Sequence, residues 1–189
     1  MYDYVIVHGS YGSPFENWFP WLFEELSKRG KKVLAPQFPC GEDVQNYSSW
    51  SKVMNSYKNF IGNTTCFIGH SLAPAFIVDY IIDNNLSVGN LYFAAPFYGM
   101  INIPDFDKVN KPFFIYKDLK VVKRYIDSAT CYISTNDPYV PNGLSIDFSD
   151  MIGAEKIFVE KAGHFNASAG YTVFEDLLQS ILRDERNGN

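Results

Sequence analysis

Thr65-Cys66-Phe67-Ile68-Gly69-His70-Ser71-Leu72-Ala73 is the stretch from which the rest of the chain can be read. The short apolar run Thr65–Ile68 leads into Gly-His-Ser-Leu-Ala, and a helical pattern over Ser71–Asp83 follows at once. Strand, sharp turn and helix in that order make a nucleophile elbow, in which a cramped backbone lifts a serine hydroxyl clear of a sheet. The residues two before and two after the serine must be small, or their side chains meet the neighbouring strand and helix. Gly69 satisfies this, and Ala73 adds only one methyl where a second glycine is usual. The plainer alternative is that Ser71 simply caps the helix behind it.

The same rhythm extends in both directions. Tyr4–Val7, Lys32–Ala35, Leu91–Ala95, Thr130–Ser134 and Lys156–Val159 also read as strands. Glu16–Arg29, Ser49–Phe60, Ser145–Ile152 and Val173–Arg183 read as helices between and after them. In the first helix Asn17 is the expected cap, Pro20 falls in the tolerated first turn, and Gly30 marks the end. Strands alternating with helices make βαβ units, so the fold class is α/β: a doubly wound, mostly parallel sheet with helices on both faces. Functional groups in such sheets belong at the carboxyl ends of the strands. The 189 residues suit a single domain, residues 1–189. From about 96 to 127 the pattern breaks at Pro104 and Pro112, which predicts a short irregular, cap-like excursion. The polar tail after Arg183 is expected to fray.

Composition excludes several classes. Sixteen basic against twenty-one acidic residues leave a net charge of −5, and the longest basic feature, Lys117–Arg124, is scattered, so no nucleic-acid partner is expected. No apolar run approaches the ~20 residues of a membrane span, and the N-terminus lacks a signal-peptide pattern; no membrane association and a cytoplasmic location are expected. Three cysteines, Cys40, Cys66 and Cys131, without a CxxC pair fit reduced thiols.

All three histidines, His8, His70 and His164, fall just after an expected strand. A serine hydroxyl needs a base, and the base needs an orienting carboxylate. At an elbow the partners follow in the order acid, then histidine. His164 lies after the last strand in Ala162-Gly163-His164-Phe165, and Asp137 lies after the preceding strand in Asn136-Asp137-Pro138. Asp127 precedes that strand and Asp147 falls in the next helix, so both are poorer choices. The plainer alternatives are a surface-loop histidine and an ordinary turn aspartate. A developing oxyanion would be received by the backbone N–H of Leu72 and by that of Ser10, with Tyr11 in reserve, from the small-residue loop His8–Ser13. His8 is expected to brace that loop. Tyr11, Phe97, Tyr98 and Tyr139 are the candidates to line a substrate pocket. The loop has neither G-x-G-x-x-G nor a P-loop lysine, and the histidines lack H-x-x-x-H or H-x-H spacing, so neither cofactor nor metal is expected.

With these residues placed, the chain resembles the small single-domain α/β-hydrolases that include the retinoblastoma-binding serine hydrolase and its bacterial relatives. The resemblance runs through HGSYGS, ENWFPWL, LAPQFP, FIGHSLA, AAPF, STNDPYVP and AGHF. It implies a compact α/β-hydrolase without a large lid domain, with Ser71, Asp137 and His164 as the catalytic triad. It implies a serine hydrolase that cleaves a small ester or amide. Two departures stand out: Ala73 in place of a frequent glycine, and no cysteine in a Leu-x-Cys-x-Glu context. Binding to the retinoblastoma protein is therefore not carried over. An interaction module on a hydrolase scaffold, or an acyl transferase or peptidase using the same triad, remains the alternative.

Overall fold

The computed structural model describes residues 1–115 and 118–187. Six strands, β1 (Tyr4–Val7), β2 (Val33–Leu34), β3 (Cys66–His70), β4 (Leu91–Ala94), β5 (Ala129–Ser134) and β6 (Glu155–Val159), form one sheet in the order β2-β1-β3-β4-β5-β6. Every neighbouring pair is parallel. The register sets Val7 beside Gly69 and His70 beside Ala94, so β1, β3 and β4 end at one rim. The helices are α1 (Phe19–Lys28), α2 (Tyr47–Asn55), α3 (Ala73–Asn84), α4 (Pro104–Asn110), α5 (Asn142–Ile152) and α6 (Glu175–Asn187).

Strands β1, β4 and β5 are buried along their whole length, as expected of parallel strands covered on both faces. The two-residue alternation of a strand then splits the core in two. Val5, Val7, Phe67, Phe93 and Cys131 face a layer holding Trp50, Phe76, Phe113 and Phe148. Tyr4, Ile6, Ile68, Tyr92 and Tyr132 face the other, with Trp18, Phe19, Leu22, Phe174 and Leu178. Among the described residues, no helix is long and apolar enough to cross a membrane.

Three local expectations are corrected. Asn17 does not cap α1: its backbone is left-handed (φ 53°), Trp18 occupies the cap position, and the Asn17 Oδ1 accepts from the Ala167 N–H at 2.9 Å. The segment Ser49–Phe60 is not one helix. Asn46 caps α2 by accepting from the Ser49 N–H, and a separate 3-10 turn forms at Lys58–Phe60. Residues 188–189 of the polar tail lie outside the described residues; within the described residues the tail does not fray after Arg183, and α6 continues to Asn187. It is tied down there: the Tyr92 hydroxyl donates to Asp184 Oδ2 at 2.9 Å, and Lys31 pairs with Glu185 at 2.6 Å.

The excursion between β4 and β5 divides in use. Its 3-10 turn at Leu119–Arg124 buries Leu119 and Val122 in the core. Helix α4, in contrast, reaches the rim where β1, β3 and β4 end, through Phe106 and Asn110.

Candidate active site

Ser71 follows β3 directly, with φ 62°, and its N–H is held by the Ala94 carbonyl at 2.9 Å. Left-handed backbone is costly for a residue with a side chain and persists where the surroundings over-determine it. Gly69 is part of that constraint. A β-carbon there would stand 2.8 Å from Ile77 Cδ1 and 3.2 Å from both Phe93 and Pro74. Ala73, fully buried, shows that one methyl is accommodated on the helix side.

Asp137 follows β5 and His164 follows β6, and both reach Ser71. His164 Nε2 lies 3.0 Å from Ser71 Oγ, and His164 Nδ1 lies 2.8 Å from Asp137 Oδ2. The other Asp137 oxygen accepts the N–H groups of Tyr139 (2.9 Å) and Val140 (3.0 Å). That pairing fixes the carboxylate, so its free oxygen takes the Nδ1 proton of His164. Nε2 is then left as an acceptor for the serine hydroxyl. The loops carrying the two residues are stitched together: Asn136 Oδ1 accepts from Gly163 N–H, and Thr135 Oγ1 accepts from Lys161 N–H.

His70 supports this arrangement from beneath. Its Nε2–H donates to the His164 carbonyl at 2.7 Å, with the rings of Trp18 and Phe19 packed around it. Burial, with His164 alongside, pushes its pKa down to about 3. In the unfolded chain the same imidazole binds a proton near 6.5. Between those values the unfolded form holds more protons, so stability is complete above about pH 6.5 and is lost as pH falls toward 3, at about 1 kcal/mol per pH unit. His8, pushed down by burial as well, acts in the same direction. The urea midpoint is expected to fall between pH 7 and pH 5, and His70→Gln to flatten that decline; an unchanged slope in the variant would assign the acid loss to other groups.

The loop after β1 closes the site on the other side. His8 Nδ1–H donates to the Gly9 carbonyl at 2.9 Å, and His8 Nε2 accepts from the Phe38 N–H at 2.9 Å, so His8 braces the loop. Gly9 lies against Ser71: a β-carbon there would meet Ser71 Cβ at 2.9 Å. The Tyr11 N–H is spent on Gln45 Oε1 at 2.9 Å, which removes the reserve oxyanion donor and leaves the Ser10 N–H as the candidate from this loop.

A cleft of about 240 Å³ opens above Ser71 and His164. Tyr11, Phe106 and Tyr139 line it as a chain of edge-on rings, and Tyr139 continues onto His164. Ile101 and Val140 add apolar wall, while Glu16, Asn17 and Asn166 add a polar one. The expected lining by Phe97 and Tyr98 is corrected. After β4 the left-handed Ala95 (φ 49°) turns the chain into the core, where Phe97 is buried and packs on Phe114. Tyr98 packs on Phe114 too, and its hydroxyl donates to Asp79 Oδ2 at 3.2 Å. The residues of α4 fill that place instead. Nothing in their spacing marks them, because only the path of the excursion brings them to the rim. The thiols offer no competing nucleophile: burial pushes Cys66 up to about 11 and Cys131 up to about 12. Among the described residues, no cluster of His, Cys, Asp and Glu could hold a metal ion.

The serine hydrolase family model matches residues 4–183, nearly the whole chain. The chain belongs to the serine hydrolase family. Hydrolysis is therefore its chemistry. The YdeN protein of Bacillus subtilis (strain 168) is 24% identical over 188 residues, covering 95% of this chain and 96% of that one. The crystal structure of the B. subtilis ydeN product superposes with a TM-score of 0.86 at 22% identity, over 97% of this chain and all of the other. A carboxylesterase structure from the thaumarchaeon Nitrososphaera gargenis gives 0.75 at 12% identity, over 100% and 92%. At those identities the structural likeness establishes the compact α/β-hydrolase fold.

Proposed function

We propose that this serine hydrolase cleaves small carboxylic esters or amides through Ser71, His164 and Asp137. The observation that carries the reading is the unbroken relay from Asp137 Oδ2 to His164 Nδ1 (2.8 Å) and from His164 Nε2 to Ser71 Oγ (3.0 Å). Ser71 Oγ attacks the acyl carbon as His164 Nε2 takes its proton, and Asp137 steadies the imidazolium. The N–H groups of Leu72 and Ser10 receive the oxyanion. His164 then gives the proton to the departing alcohol or amine, leaving an acyl group on Ser71. Water attacks that ester with His164 as base, releasing the acid and restoring the hydroxyl. The modest cleft, at about 240 Å³, favours small substrates, since drug-sized ligands fill roughly 300–1,000 Å³.

The decisive experiment is treatment with a fluorophosphonate probe, read by intact-mass spectrometry. One stoichiometric adduct on Ser71 is expected, absent in Ser71→Ala, together with turnover of p-nitrophenyl acetate that disappears in the same variant. An unlabelled wild-type chain, or an adduct that survives Ser71→Ala, would overturn the reading.

A further inference from the structure

Two buried amides far apart in the chain each grip one of two adjacent residues, Tyr11 and Ser10. Gln45, fully buried and ahead of α2, accepts the Tyr11 N–H through Oε1. Asn110, 1% exposed at the end of α4, accepts the Ser10 hydroxyl through Oδ1. The opposite end of each amide, Gln45 Nε2 and Asn110 Nδ2, is buried without a hydrogen-bond partner among the described residues. A buried donor left unpaired is destabilising, and an apolar side chain of the same shape would avoid that penalty. The hydrogen bonds of both amides run through their oxygen ends, and both act on the turn next to Ser71. That turn is itself strained: Tyr11 has φ 54°, a conformation that reverts unless it is held from outside.

We propose that Gln45 and Asn110 are positioning residues that clamp the Ser10–Tyr11 turn, so that the Ser10 N–H is presented to the oxyanion while the Tyr11 N–H is withdrawn from it. The inference rests on the triad reading given above. A clamp of this kind acts on the transition state, because the donor is needed only when charge develops on the acyl oxygen. It therefore acts on kcat, and Gln45, which lies outside the cleft lining, reads this free of direct contact with substrate.

Two pairs of variants test it, with p-nitrophenyl acetate as substrate and an alkyl trifluoromethyl ketone as the probe of oxyanion binding. Gln45→Met and Asn110→Leu remove the acceptor at similar volume. Gln45→Glu and Asn110→Asp keep an oxygen in place. The apolar pair is expected to lose about 10- to 100-fold in kcat, with KM within about twofold in Gln45→Met, and the ketone inhibition constant to rise by the same factor as kcat falls. The conservative pair is expected to recover most of both. The thermal midpoint of each apolar variant should stay near that of the wild type, separating position from folding; the two sites give independent readings if one variant is unstable. Full kcat with unchanged ketone affinity in both apolar variants would refute the clamp while the triad stands. An equal loss in the conservative pair would refute it too. A wild-type chain that neither turns over ester nor labels with fluorophosphonate removes the triad reading, and the clamp with it.

Discussion

Asp137→Asn is expected to lower ester turnover by about 10⁴-fold while leaving the fold and the fluorophosphonate-accessible cleft in place. The size of the effect follows from which Asp137 oxygen does what. Oδ1 accepts two backbone N–H groups, from Tyr139 and Val140, at 2.9 and 3.0 Å. In the variant the amide oxygen must take that seat, because an amide nitrogen there would face two donors. The new NH₂ is thereby turned toward His164 Nδ1, where Oδ2 now lies at 2.8 Å. An imidazole that accepts at Nδ1 carries its proton on Nε2, pointing at Ser71 Oγ, and can no longer take the serine proton. His164→Ala removes the base itself and should cost about 10³-fold or more, and the double variant should cost little beyond the larger single loss, since the pair works as a unit. Stopped-assay rates on p-nitrophenyl acetate at pH 8, corrected for buffer hydrolysis, measure all three. Simple addition of the two losses would mean that His164 and Asp137 act separately.

How much of this was legible beforehand follows from the kind of information each feature needs. The strands announce themselves because a parallel strand is buried on both sides and reads as an unbroken apolar run, as Tyr4–Val7 does. Ser71, Asp137 and His164 are legible as a set because each carries a reactive group and stands just past a strand, where parallel topology puts everything on one rim. The geometry brings those three together as the spacing implies. The cleft walls are another matter. Phe97 and Tyr98 follow β4 as closely as Asp137 follows β5, yet after the left-handed Ala95 Phe97 enters the core and Tyr98 packs on Phe114. Phe106 and Asn110 take their place from a helix whose landing point depends on how the excursion between β4 and β5 packs, and no local pattern encodes that. Gln45 stands directly before the α2 cap Asn46 and looks like one more polar turn residue. Asn17 illustrates the opposite error: its position favours a cap, but the Ala167 N–H needs its carbonyl more than α1 does.

Gly9→Ala is the second large effect expected, and it tests how tightly the two sides of the site are set. Gly9 carries no functional group, and its backbone lies outside the left-handed region, so alanine meets no conformational obstacle of its own. The obstacle is contact. The added methyl would sit 2.9 Å from Ser71 Cβ, 3.1 Å from the His70 carbonyl and 3.5 Å from Ser71 Oγ. None of these can yield cheaply. Ser71 is locked at φ 62° with its N–H on Ala94, and His70 is tied to the His164 carbonyl. The loop after β1 is pinned from behind by His8 and Gln45. The β1 loop and the elbow must therefore separate by a few tenths of an ångström, carrying the Ser10 N–H away from Ser71 Oγ. A misplacement of about 1 Å can cost about 10²-fold in an oriented reaction, so a shift of a few tenths costs about tenfold, whereas the overpacking itself costs about 1–3 kcal/mol of stability. The variant should thus stay folded, bind substrate with little change in KM, and react with fluorophosphonate roughly tenfold more slowly than wild type. Wild-type labelling kinetics in Gly9→Ala would show that the spacing between the first loop and Ser71 is loose, and that catalysis does not draw on a donor from that loop.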